Sequence, residues 1–215
     1  MNEVLFVIQA LIVMGFAIGA FKLGKSALIA WMSVLALIAN LFVLKQIMLF
    51  GFHVTASDVF AIGSLLVLNF LQEDYGKDAA KQATWICFFC MIFFAIISQL
   101  HLFYQPSPYD NTQEAYLVLL SPSPRLLIAS LSVFFVVQRI DIRFFEFLKK
   151  RLPRANFTVR ASISLVVSQF LDTVLFSFVG LYGLMASITD IIFISFVIKL
   201  FVIFCFTPLL RWAKA

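Results

Sequence analysis

The chain has 215 residues, of which 63% are hydrophobic and only 13% charged, with a mean hydropathy of +1.03. Water-soluble globular chains run nearer ~45–50% apolar and ~25% charged, so too little polar surface is present to cover a soluble domain. The formal net charge of +5 fits basic loops of a membrane protein, and no basic–aromatic patch points to nucleic acid.

A helix that spans the bilayer needs ~20 mostly apolar residues. Seven stretches qualify, at roughly 3–21, 27–49, 58–74, 82–104, 116–138, 159–181 and 187–210. The expected fold is therefore an all-α polytopic membrane protein forming a single integral domain. Lys22 and Lys25 follow the first stretch, Lys77 and Lys81 the third, and Arg139, Arg143, Lys149, Lys150, Arg151 and Arg154 the fifth. Every second connection is basic, which predicts an outside N-terminus and a cytoplasmic C-terminus.

Helix 1 lacks a basic start and does not read as a signal peptide. Its Gly15-x-x-x-Gly19 permits close helix approach and is explained by ordinary bundle packing. Helix 2 carries Asn40 near mid-span and Lys45 closer to an end, where snorkelling is an equal explanation. Helix 3 is short. Its clean apolar run, Val59 to Leu71, ends in Asn69, Gln72 and Glu73, which share one helical face. Gly76 and Lys77 then suit a helix C-terminus. Cys87-x-x-Cys90 in helix 4 sits in an apolar run without a second pair or a histidine, so neither metal nor redox cofactor is expected.

Helix 6 is the richest in polar side chains. Arg160, Ser164, Ser168 and Asp172 recur every fourth residue along one face, flanked by Gln169 and Thr173. A charged side chain at mid-bilayer costs on the order of 2.5–3.5 kcal/mol on insertion scales, so Asp172 needs a partner, a watery cavity or a substrate. Lys199 in helix 7 is equally deep, which makes the two natural partners. No nucleophile elbow, zinc-protease motif or P-loop is present. An acid–base pair of Asp172 with Glu73 is the one enzymatic alternative. The cluster otherwise reads as a carrier or a ligand-binding membrane subunit.

Three patches resemble the bacterial queuosine-precursor transporters, also called vitamin-uptake-transporter-like proteins. They are Asn40 to Lys45 with Gly51, Asn69-Phe-Leu-Gln-Glu73-Asp-Tyr75-Gly76-Lys77 with Ala80, and Arg160 through Ser162, Ser164, Gln169, Asp172 and Phe176, with Lys199 and Pro208 beyond. Asn69 stands where that family usually has aspartate. The resemblance implies a six-helix core over residues 27–215, similar in fold to the substrate-binding subunits of energy-coupling-factor transporters, with residues 1–26 as an additional helix. It implies import of 7-deazaguanine bases such as queuine for tRNA modification, or binding of the ligand for a separate ATP-hydrolysing module. Asp172 or Glu73 would accept the two N–H groups of a guanine-like edge, and Asn40, Asn69, Gln72 or Gln169 would donate to its carbonyl. Lys199 and Arg160 would balance charge, and Glu73 either contacts substrate or forms an inner gate.

Overall fold

The computed structural model describes the backbone of residues 1–43, 45–121, 124–182 and 188–213. Pro122, Ser123 and Lys214 lie outside the described residues, as do the side chains of His53, Arg125 and Asp190. The elements, in order, are α1 (Asn2–Leu23), α2 (Lys25–Phe42), a hairpin of β1 (Gln46–Leu49) and β2 (Phe52–Thr55), α3 (Asp58–His101), α4 (Gln113–Leu120), α5 (Pro124–Arg151), α6 (Phe157–Phe176) and α7 (Ile188–Ala213). α6 widens into a π-helical turn over Ser177–Leu181. The chain is a multi-pass membrane protein: among the described residues four helices are both long and apolar enough to cross a bilayer, Asn2–Leu23, Lys25–Phe42, Asp58–His101 and Phe157–Gly180.

Two glycines make the sharp corners at one end. Gly24 (φ 99°, ψ −170°) turns α1 into α2 with a single residue, and Gly76 (φ 83°, ψ 172°) breaks α3 into two arms. Only glycine adopts this region readily, because a Cβ would collide with the backbone. The expected helices 3 and 4 are thus joined across one residue.

The first arm of α3 is the axis of the bundle. Val59, Ile62, Leu66, Val67, Leu68, Phe70 and Leu71 are fully enclosed, as expected of a helix that is apolar on every side. Gly63 lets α1 approach this axis: a Cβ there would sit 2.8 Å from Val13 Cγ1. Gly15 and Gly19 do no such work. A Cβ on either meets nothing within 4 Å, and both border a groove between α1 and α2 that is open to the surroundings. The expectation that they serve packing within the bundle is corrected.

Two helix boundaries also differ from expectation. Helix 2 stops at Phe42 rather than 49, and residues 46–55 form the hairpin, with Gln46 paired to Thr55 and Leu49 to Phe52. Phe50 (φ 52°) and Gly51 (φ 84°) make its two-residue turn, the left-handed geometry that matches strand twist. Lys45 consequently leaves the bundle: its side chain is exposed, and its carbonyl accepts the Ala56 N–H. Asn2 and Glu3 of α1 bond the hairpin at Met48 and Phe50, fastening it over one end of the bundle. The expected fifth span, 116–138, divides into α4 and the longer α5, which continues through the charged segment to Arg151.

Candidate functional site

A cavity of about 170 Å³ lies beneath the hairpin, walled by α2, α3, α5, α6 and α7. A void of ~150 Å³ suffices for a benzene-sized ring. Asn40 enters from α2, Asp58 from the start of α3, Ser130 and Phe134 from α5, Asp172 and Phe176 from α6, and Lys199 from α7. The π-helical turn adds Ser177; such widened turns bring an extra residue onto a face and recur at functional sites.

Lys199 Nζ donates to Asp172 Oδ2 at 2.7 Å. Lys199 is nearly enclosed, whereas the Asp172 side chain keeps 26% of its surface accessible, through the cavity it lines. The pair therefore neutralises a buried ammonium and still presents a carboxylate edge to whatever enters. Asn40 is pinned in place: its Nδ2 donates to the Ala36 carbonyl at 2.9 Å, and its Oδ1 accepts the Ser130 hydroxyl. One N–H and one lone pair of that amide remain. Phe134 and Phe176 supply flat apolar walls.

The other sequence-predicted residues do not line this cavity. Ser164 and Ser168 each donate to Asp141 Oδ1 at 2.6 Å, in a layer below it. Gln72 Nε2 donates to the Ile142 carbonyl at 2.7 Å in the same layer. Asn69, Gln138 and Gln169 are completely enclosed, and neither amide atom of any of the three has a hydrogen-bond partner.

Glu73 and Arg160 lie at the far end. Fifteen helical residues separate Glu73 from Asp58, or about 22 Å at 1.5 Å per residue. Glu73 accepts from Arg160 Nη2 and sits 3.3 Å from Lys149 Nζ. Arg160 Nη1 also donates to the Ala155 carbonyl at 2.6 Å, so one side chain ties the α5–α6 connection to α3. The enzymatic alternative loses its geometry: Asp172 pairs with Lys199, Glu73 with Arg160 and Lys149, and the two carboxylates occupy different ends.

A model described as "Putative vitamin uptake transporter" matches residues 55–213. The chain belongs to the vitamin uptake transporter family. The family match begins at Thr55, the last hairpin residue, and thus takes in the cavity residues of α3, α5, α6 and α7. The chain is also 29% identical over 180 residues to a Bacillus subtilis (strain 168) protein described as "Probable queuosine precursor transporter", covering 83% of this chain and 76% of that one. No solved structure is significantly similar to the chain.

This transporter contains site residues that the sequence did not single out. Asp58 reads in sequence as an ordinary helix start, and only the fold turns it into the cavity. Asp141 was obscured by its charged neighbours Arg139 and Arg143, which placed it in a basic connection, and Gln138 stood at the very end of the expected fifth span. A signal was present nonetheless. Gln138, Asp141, Ile142, Phe145 and Leu148 recur at three- and four-residue spacing, the stripe of a helix that buries one face.

Proposed function

We propose that this family member carries a purine-like base of the 7-deazaguanine class across the plasma membrane, binding it in the cavity beneath the hairpin. The observation that carries this reading is the Asp172–Lys199 pair in the wall of a cavity that Phe134, Phe176 and Asn40 also line. A carboxylate edge accepts two adjacent N–H groups of a guanine-like ring, an amide or ammonium donates to its carbonyl, and the aromatic walls stack on its faces. Asp58 is a second carboxyl in the wall, against a single cation among the described residues. That excess favours a base bearing a cationic amine.

In this reading the N-terminus and the hairpin face outward, and the Lys149–Arg151 end is cytoplasmic, following the distribution of basic residues. Glu73, Arg160 and Lys149 then form an inner gate about 22 Å from Asp58. The six-helix core begins at α2, and α1 is an addition to it.

Uptake of labelled queuine by purified protein in liposomes tests the proposal, with unlabelled guanine, adenine and a pterin as competitors. Queuine is expected to accumulate and to be displaced best by other 7-deazaguanines. Displacement by the pterin instead would overturn the substrate class. Flux that appears only when an ATP-hydrolysing module is added would reassign the chain as a binding subunit.

A further inference from the structure

Asp141 is a completely enclosed carboxylate with no cationic partner among the described residues. Ser164 and Ser168 of α6 both donate to its Oδ1, while Oδ2 is equally enclosed and has no partner. A charge held in this way, without a counter-ion in an apolar bundle, is strongly disfavoured against its neutral form.

The cations that face this layer are all engaged elsewhere. On α6, Arg160 is one turn from Ser164, but its guanidinium bonds Glu73 of α3 and the Ala155 carbonyl. Lys149 of α5 also pairs with Glu73, and Lys199 of α7 pairs with Asp172. Arg139, next but one to Asp141, lies 4.8 Å over the Trp85 ring. Arg143 points to the exposed side of α5. From the first arm of α3 the layer receives only the amides of Asn69 and Gln72.

Two further amides have a particular property. Gln138 lies one turn from Asp141 and one turn from Phe134 in the cavity wall; Gln169 follows Ser168 and lies one turn from Asp172 and Thr173. Both are enclosed, and all four of their amide atoms are unpartnered. An amide offers a carbonyl to a carboxylic O–H and an N–H to a carboxylate, so rotation of the group serves either protonation state. Seven helical residues place Asp141 about 10 Å below Phe134.

We infer that Asp141, clasped by Ser164 and Ser168, is a proton-binding carboxyl that this transporter loads and empties during its cycle, coupling proton movement to substrate movement. The inference rests on the transport reading but not on the identity of the base. The step is a reversible protonation of Oδ2, with the proton taken from and returned to water as the layer opens to one side or the other. A metal cation would need several converging oxygens, whereas the contacts to Oδ1 are two hydroxyl donors.

Infrared difference spectroscopy of the purified full chain in lipid films tests this without any substrate. A carboxylic-acid C=O component should appear on acidification, disappear on alkalinisation, and be missing from the spectrum of Asp141→Asn, in which the other carboxyls contribute as they do in wild type. In proteoliposomes, an inward proton gradient should raise wild-type uptake several-fold and leave Asp141→Asn uptake unchanged. Should the asparagine variant fail to fold, Ser164→Ala and Ser168→Ala each remove one donor to the charged form, and the midpoint of the band should move to higher pH. The inference is overturned by acid-minus-alkaline spectra that are the same in wild type and Asp141→Asn, or by a gradient response that follows sodium rather than protons. Failure of every 7-deazaguanine to be transported, with the band still titrating, would remove the substrate assignment alone.

Discussion

Lys199 of α7 and Asp172 of α6 meet at 2.7 Å in the cavity wall, across 27 residues of sequence and the π-helical turn that separates their helices. Each side chain makes the other tolerable at this depth. Removing one member of a buried pair costs ~3–5 kcal/mol, and the cavity access of Asp172 brings the expected figure to about 1–3 kcal/mol. Asp172→Ala is therefore expected to reach the membrane at near wild-type level while abolishing uptake of the labelled base. Asp172→Asn combined with Lys199→Met should melt above either single variant and still fail to transport. Normal uptake by Asp172→Ala would make the pair purely structural.

Asn40 and Ser130 form the other fixed contact of the wall. Loss of the serine hydroxyl frees the amide to rotate, and loss of a neutral hydrogen bond is worth about 0.5–1.5 kcal/mol. Ser130→Ala should weaken base binding about three- to tenfold, and Asn40→Ala should weaken it further. Isothermal titration of the two variants against wild type measures the difference, and equal affinities would place Asn40 outside recognition.

At the opposite end, Glu73→Gln removes the shared partner of Arg160 and Lys149. The site is partly solvated, so the expected loss of stability is about 1–2 kcal/mol. A gate should also leak: efflux of preloaded base from liposomes should accelerate in this variant. An unchanged efflux rate with a lowered melting temperature would leave Glu73 a strut rather than a gate.

Gly76 and Gly19 provide a matched pair of glycine substitutions. Gly76→Ala forces a Cβ into a backbone region that is essentially glycine-only, at a cost of order 1–3 kcal/mol. Gly19→Ala places its Cβ in open space on a regular helix, where alanine gains ~0.5–1 kcal/mol of propensity. Thermal melts in detergent should move in opposite directions.

Composition and the positions of Lys and Arg were enough to establish a polytopic helical membrane protein, because the bilayer tolerates few structures and each must satisfy its backbone internally. Lys199 and Asp172 were legible as partners for a related reason: a lone charge at that depth has no inexpensive alternative. The hairpin was not legible, since residues 43–49 are as apolar as the helix before them, and only pairing with Phe52–Thr55 makes Gln46–Leu49 a strand. Nor did periodicity show how the polar stripe of α6 is divided. Arg160, Ser164, Ser168 and Asp172 share one face, yet they join the ion-pair cluster at Glu73, a buried carboxyl layer and the cavity wall in turn. Which of these each residue joins depends on what α3, α5 and α7 place opposite it, and those contacts span up to 87 residues of chain. Helical spacing determines the direction in which a side chain points; its partner is decided by the packing of the other helices.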